Sequence, residues 1–415
     1  MKKPFHKNRK KPISAVCPQA ADIILSAAVT GMEKIESGTC TLDDYLDYDT
    51  PPEYRNTIAH LLFSHYRYRG FLTSALSSMT TRPPEKKVER LLLAAMTQMR
   101  FQSGIAPESA ASIAVDAAKR YGGASGFVNA VLRRFMREQA EIEITPELLF
   151  PKAVCRRWSK RFSRSELQEL AELFTREVPF TFRRERGCGE LSFAAAALER
   201  ENDYEYFQAD SHAVLESPEL RAGKIYIQDP ATGFAPSLAD TPLTGGVLDF
   251  CAAPGGKAIM LYERFGIDGK LTAFDRSRAR QKLTEKNFSI RHIPAAVLSG
   301  DTKQLEDQYD TILTDVPCSN TGVFRRRPDA LWRFSRTELE KTLTIQRSIL
   351  KKTAPMVKVG GQLIYSTCSI EPEENTQMAG WFLREFAQFE LEQEQQFYPC
   401  AFRDGGYCCS FRRTK

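Results

Sequence analysis

The sequence predicts an α/β protein in which a C-terminal parallel-sheet domain is preceded by an all-helical domain and a small mixed α+β connector. Residues 20–139 place apolar side chains at three- and four-residue spacing, and residues 150–235 mix a basic helix with short strand-like stretches. After residue 240, short apolar runs alternate with helical patterns, the signature of a parallel sheet with crossover helices. At 415 residues the chain also exceeds what one core usually supports.

Residues 1–15 open with MKKPFHKNRKKP, which is basic and aperiodic, so a flexible tail is expected there. In 16–145 the stretches AADIILSAAVTGMEKI, YRNTIAHLLFSHYRYRGFLTSALSSM, KKVERLLLAAMTQMRFQ and ESAASIAVDAAKRYGGASGFVNAVLRRFMREQ predict a bundle of about seven helices. The connector, 146–235, holds the helical SKRFSRSELQELAELF and the strand-like VPFTFRRE and KIYIQDP. In 236–415 the runs GGVLDFCA, KLTAFD, AAVLSGD, YDTILTD and GQLIYSTCS are strands ending in small or acidic residues. Ligands of such sheets sit at those carboxyl ends. The final GYCCSFRR reads as an edge strand or a hairpin partner.

The net charge of +6 is unevenly spread. Residues 1–145 carry 20 Lys and Arg against 15 Asp and Glu, residues 152–186 carry 10 against 5, and the rest is slightly acidic. A polyanion held by the front and processed by the back fits this distribution. No apolar run is long enough to cross a bilayer and the N-terminus lacks a secretory leader, so a cytoplasmic protein is expected. Ten cysteines without a Cys-x-x-Cys pair or zinc spacing argue against a disulfide framework or a structural metal. The five histidines are isolated, which gives a metal site or histidine catalysis no support.

VLDFCAAPGGKAIML runs from a strand through Pro254, Gly255 and Gly256 into a helix, where glycines let backbone approach a ligand and the first helical amides face it. The Gly-x-Gly-x-x-Gly pattern of nicotinamide enzymes is absent. Asp275 closes the second strand, where a carboxylate can take both ribose hydroxyls, and Asp301 closes the third, near an adenine amino group. This acidic set repels phosphate and welcomes a nucleoside bearing a positive sulfonium, as S-adenosylmethionine does.

Four ordered motifs, CAAPGGK, DVPCSNTG, RRPDALWR and YSTCS, resemble the Nol1/Nop2/Sun family of RNA cytosine-5 methyltransferases. GFVNAVLRR and its surroundings resemble the NusB-like RNA-binding domain of the bacterial Sun/Fmu type, whose substrate is small-subunit ribosomal RNA. The resemblance covers nearly the whole chain. It implies a Rossmann-like methyltransferase domain, S-adenosylmethionine as cofactor and RNA as partner, with a monomer expected. It also implies that Cys251, Ala252, Ala253, Pro254, Gly255, Gly256, Lys257, Asp275, Asp301 and Asp315 bind or border the cofactor. Arg280 and the stretch Gln228 to Thr232 match family positions too. Asn320 stands where the family usually has glycine, Val316 where it usually has alanine, and FRRER lacks the asparagine usual after the arginine.

Carbon 5 of cytosine is too weakly nucleophilic to take a methyl group unaided. A thiolate adding at carbon 6 activates it, and hydrogen bonding at ring nitrogen 3 stabilises the developing charge. Asp315, Cys318 and Cys368 supply a carboxyl and two thiols at neighbouring strand ends. The resemblance assigns attack to Cys368 and product release to Cys318. The triplet Arg325, Arg326 and Arg327 would suit RNA phosphates, and Trp332 would pack against the sheet edge. Cys251 reads as structural, and Cys400, Cys408 and Cys409 carry no acid or base signature. Two rival readings are a DNA cytosine-5 methyltransferase attacking through Cys318 and a catalytically silent RNA-binding assembly factor. Another RNA, such as tRNA, is the alternative substrate.

Overall fold

The apolar spacing of the front third is realised as five long helices among the described residues: α1 (Pro18–Glu36), α2 (Arg55–Met79), α3 (Lys86–Phe101), α4 (Pro107–Ala118) and α5 (Ser125–Glu138). In place of the expected seven, the described residues hold these five and three short helical segments of three to five residues between 42 and 54. Thr41 and Asp44 cap each other there, and Pro51 and Pro52 stop a longer helix. The computed structural model describes residues 18–120, 124–138, 145–185, 187–239, 245–267, 270–305 and 308–415. The expected tail, 1–15, lies outside them.

Leu61 and Leu62 of α2, Leu92 and Ala95 of α3, Ala114 of α4 and Leu132 of α5 share one buried core. Helix α2 bends at Tyr68, where the backbone leaves helical geometry, and Gly70 follows. A Cβ on Gly70 would lie 2.1 Å from the carbonyl oxygen of Leu148, so only glycine fits. Phe150, Trp158 and Phe174 of the following helices, including α6 (Arg164–Thr175), cluster with ring centroids 5.2 and 5.6 Å apart.

The chain divides into two units, and the first combines residues 1–175 with the later segment 327–333. Within that unit, Trp332 donates its indole N–H to Tyr66 O at 2.7 Å, and the Arg69 guanidinium lies 5.1 Å from the indole ring. Asp329 accepts from Leu42 N at 3.3 Å, and Arg327 pairs with Asp43 at 3.0 Å. Trp332 thus packs on the helical core, not on the sheet edge its sequence position suggested.

The second unit holds residues 176–326 and 334–415, so the stretch expected as a connector is shared between the two units. Its strands β1 (Thr181–Arg184), β2 (Ala196–Ala197), β3 (Tyr206–Gln208) and β4 (Ile225–Ile227) form an antiparallel sheet in the order β2-β3-β1-β4. They belong with the second unit for a physical reason. Buried Arg183 pairs with Glu263, and Tyr204 donates to Met260 O at 3.1 Å, both partners lying on α7 (Gly256–Phe265).

The seven-stranded sheet consists of β5 (Val247–Asp249), β6 (Leu271–Asp275), β7 (Ala295–Ser299), β8 (Tyr309–Asp315), β9 (Val357–Thr367), β10 (Phe389–Phe397) and β11 (Gly406–Arg413). Its order is β10-β11-β9-β8-β5-β6-β7. Strands β5 to β9 are parallel, and β11 runs antiparallel between β9 and β10. GYCCSFRR is therefore a hairpin partner and an interior strand rather than an edge, with Tyr407, Cys408, Cys409 and Phe411 fully buried. The order of successive strands, not their direction, reverses between β5 and β8, and ligands of such sheets bind at the carboxyl ends beside that switch point. Helices α8 (Arg278–Ile290), α9 (Arg336–Thr353) and α10 (Thr376–Glu385) complete the unit.

Candidate active site

The carboxyl ends of β5, β6, β8 and β9 deliver Asp249, Asp275, Asp315 and, one residue past the strand, Cys368. The loop after β8 returns over β9, so that Cys318 and Cys368 bring their sulfurs to 3.0 Å. Gly322 closes this loop: its N–H donates to Cys368 O at 3.0 Å and its carbonyl accepts from Gly405 N at 2.9 Å. A Cβ there would stand 2.4 Å from Gly405 O. Beneath the loop, buried Glu374 accepts from Ser319 N at 2.8 Å, from the Ser319 hydroxyl and from Gln346 Nε2 at 3.1 Å. Asn375 accepts from the Thr367 hydroxyl at 2.7 Å and donates to Ser369 O at 2.9 Å, which fixes the backbone on both sides of Cys368.

Both oxygens of Asp315 are engaged, one by Lys257 Nζ at 2.6 Å and the other by the Ser366 hydroxyl at 2.8 Å. Burial works to lower the Lys257 ammonium, but the facing Asp315, Asp249 and Cys368 outweigh it and its pKa rises. The Cys318 thiol is pushed well above its usual range by the hydrogen bond with Cys368 and then by burial. Burial likewise raises buried Asp249 to about 7, with the negative charges of Asp315 and Asp275 adding to the shift and Lys257 opposing it.

The loop from Cys251 to Lys257 lies between β5 and α7. Gly255 has φ 96°, a left-handed conformation that favours glycine, and a Cβ on Gly256 would meet Gln228 Nε2 at 2.8 Å. The turn thus requires glycine at 255, while a side chain at 256 would have to push aside the end of Gln228. Ala252 and Ala253 are buried, Pro254 is exposed, and the Cys251 thiol is raised by burial. Arg280 donates to Ala253 O at 2.9 Å and lies 3.7 Å from Asp275, so it braces the same loop. Asp275 is buried and accepts from Ser277 N at 2.8 Å. Asp301 is exposed and accepts from Lys303 N at 3.0 Å, capping a short turn.

Two arginines of the triplet are spoken for. Arg325 is buried and donates to the carbonyls of Cys400, Ala401 and Arg403 at 2.8, 3.1 and 3.1 Å. Arg326 bridges Asp404 at 2.8 Å and Asp229 at 2.9 Å. Arg325 and Arg326 are internal bracing, not a phosphate surface, because these carbonyls and carboxylates of the same unit occupy their guanidiniums; Arg327 pairs with Asp43 in the first unit. Asp229, from the stretch 228–232, also accepts from Asp404 N at 3.0 Å.

Sequence reasoning missed Asp249, Ser366, Gln346, Glu374 and Asn375. Asp249 sat in plain view as the last residue of its strand run; the others became visible only when β8 and β9 were paired.

This chain is 30% identical to the ribosomal RNA small subunit methyltransferase B of Xylella fastidiosa over 83% of its own length and 84% of that protein. The chain belongs to the ribosomal RNA small subunit methyltransferase B family. A relative of the same name from Shewanella oneidensis is 30% identical over 74% of this chain and 76% of its own. The family model of the 16S rRNA methyltransferases RsmB/F matches residues 236–404, and that of the NusB family matches residues 18–137. The crystal structure of PH0851 superposes with a TM-score of 0.74 at 20% identity, covering 97% of this chain and all of that one, which shows the shared fold. As a member of the methyltransferase B family, the chain is an S-adenosylmethionine-dependent RNA methyltransferase, as its motifs implied. The carboxyl ends of β5, β6 and β8 suit that cofactor: they carry the carboxylates of Asp249, Asp275 and Asp315, and one oxygen of buried Asp249 has no hydrogen-bond partner. Among the described residues no helix is long and apolar enough to cross a membrane.

Proposed function

We propose that this protein methylates carbon 5 of a cytosine in small-subunit 16S ribosomal RNA, in the cytoplasm and as a monomer, through a covalent bond between Cys368 and the base. The observation that carries the covalent reading is the 3.0 Å approach of the two sulfurs beside a doubly anchored Asp315. The loop 251–257, with Asp275, Asp301 and Asp315, would hold S-adenosylmethionine. The cofactor supplies an electrophilic methyl group.

Cys368 adds to carbon 6: the S–C bond forms, the ring double bond gives its electrons to carbon 5, and Asp315 faces ring nitrogen 3. Once carbon 5 is substituted, loss of its proton restores the ring double bond and expels the sulfur, a release that Cys318 assists. Cys318 suits that role because the neighbouring Cys368 and burial keep it a thiol. The base must leave its stack to reach these groups, so unpaired or loop cytosines are the expected targets. Bisulfite sequencing of 16S ribosomal RNA from a deletion strain is expected to show one cytosine that has lost its protection. If the 16S profile is unchanged, the 16S target fails; a site lost in tRNA instead identifies the other substrate.

Asp275→Ala should weaken S-adenosylmethionine binding by about 1–3 kcal/mol through lost hydrogen bonds, and unchanged affinity in calorimetric titration removes Asp275 from the site. RNA affinity should fall steeply with salt, as expected when the basic front of the chain displaces counterions. A salt slope near zero in filter binding would refute that electrostatic role.

A further inference from the structure

Asn320 adopts φ 60°, a left-handed conformation that asparagine tolerates and glycine adopts without strain. Glycine would serve the backbone equally well, so the side chain invites its own explanation. Its amide nitrogen donates to Cys318 O at 3.1 Å, while its amide oxygen accepts from Cys368 Sγ at 3.1 Å. The first bond fixes which end of the amide faces the sulfur. An amide oxygen can receive an S–H proton, and it repels a thiolate.

We propose that Asn320 is a further active-site residue that holds Cys368 as an oriented thiol, so that the nucleophilic thiolate forms only when this hydrogen bond is released. The step is a heterolysis: the S–H bond breaks, its electron pair stays on sulfur and its proton passes to water. Other groups around Cys368 bear on the same equilibrium. The Cys318 thiol lies 3.0 Å away, the Lys257 ammonium faces Cys368 while paired to Asp315, and Glu374 sits beyond Ser319. Asn320 is the neutral acceptor among them. The inference builds on the reading of Cys368 as nucleophile, but its test does not.

The test is alkylation of the Cys368 peptide by iodoacetamide in the reduced, full-length protein, followed by mass spectrometry as a function of pH. In Asn320→Gly the midpoint should move down by about 0.5–1 pH unit, giving about three- to tenfold faster alkylation at a fixed pH below it. In Asn320→Asp, which keeps the side chain's shape, a carboxylate facing the sulfur should move the midpoint up. An unmoved or raised midpoint in the glycine variant, or a lowered one in the aspartate variant, overturns the proposal. A purely structural role would disturb both variants in the same direction. Because alkylation reports on the sulfur whichever thiol attacks RNA, a failure of the Cys368 assignment would leave this readout intact.

Discussion

Cys368→Ala is expected to abolish methylation and leave no covalent RNA adduct, whereas Cys318→Ala is expected to attack, methylate and then stall, so that a denaturation-resistant protein–RNA complex accumulates with S-adenosylmethionine present. The asymmetry comes from the pair itself. Two thiols 3.0 Å apart do not both ionise readily, and burial and the hydrogen bond to its neighbour push Cys318 well towards the thiol form. Removing Cys318 leaves the Cys368 sulfur in place, with its strand end still fixed by Asn375. A denaturing gel with labelled RNA reads both outcomes. An adduct in Cys368→Ala and none in Cys318→Ala would reverse the assignment and favour the mechanism in which the Pro-Cys thiol attacks. No adduct or methyl transfer in the parent protein on ribosomal RNA would favour a silent RNA-binding factor.

The second large effect concerns stability. Arg326→Ala should destabilise the second unit by about 3–5 kcal/mol, because it leaves Asp229 and Asp404 buried side by side without their shared cation. Asp404 is already raised to about 7, by burial first and then by Asp229. A carboxyl whose folded pKa lies above its unfolded value favours folding while protonated, and that contribution is lost as pH rises towards 7. The loss on removing Arg326 should therefore be larger at pH 8 than at pH 5, when variant and parent are compared by denaturant unfolding at each pH. Adding Asp404→Asn should recover part of it. Equal losses at both pH values, or a loss below 1 kcal/mol, would mean that the bridge is not holding the loop.

The residues whose placement was legible in the sequence are those that close a strand. Asp275, Asp315 and Cys368 each follow an apolar run, and the parallel sheet places all three at one edge. Arg325 and Arg326 were misread because charge in sequence says nothing about what surrounds it: Arg325 meets the carbonyls of Cys400, Ala401 and Arg403, some 75 positions away. Glu374 and Gln346 escaped for the same reason, since their work beneath the Cys318 loop depends on strands and helices that meet only in the fold. GYCCSFRR was recognised as a strand, but its interior place rests on pairing with β9, which no local pattern announces.

The excursion of residues 327–333 into the helical unit bears on how such a protein could be cut, fused or inherited. A gene broken after residue 175 would yield a front piece lacking the turn that carries Trp332, and a back piece displaying that indole with nothing to cover it. Exchange of the front half between relatives is then constrained by seven residues encoded far downstream. Chimaeras that carry 327–333 along with the donor's 1–175 should express better than those that split them. In this chain the modular border is a loop in the sequence and not a point.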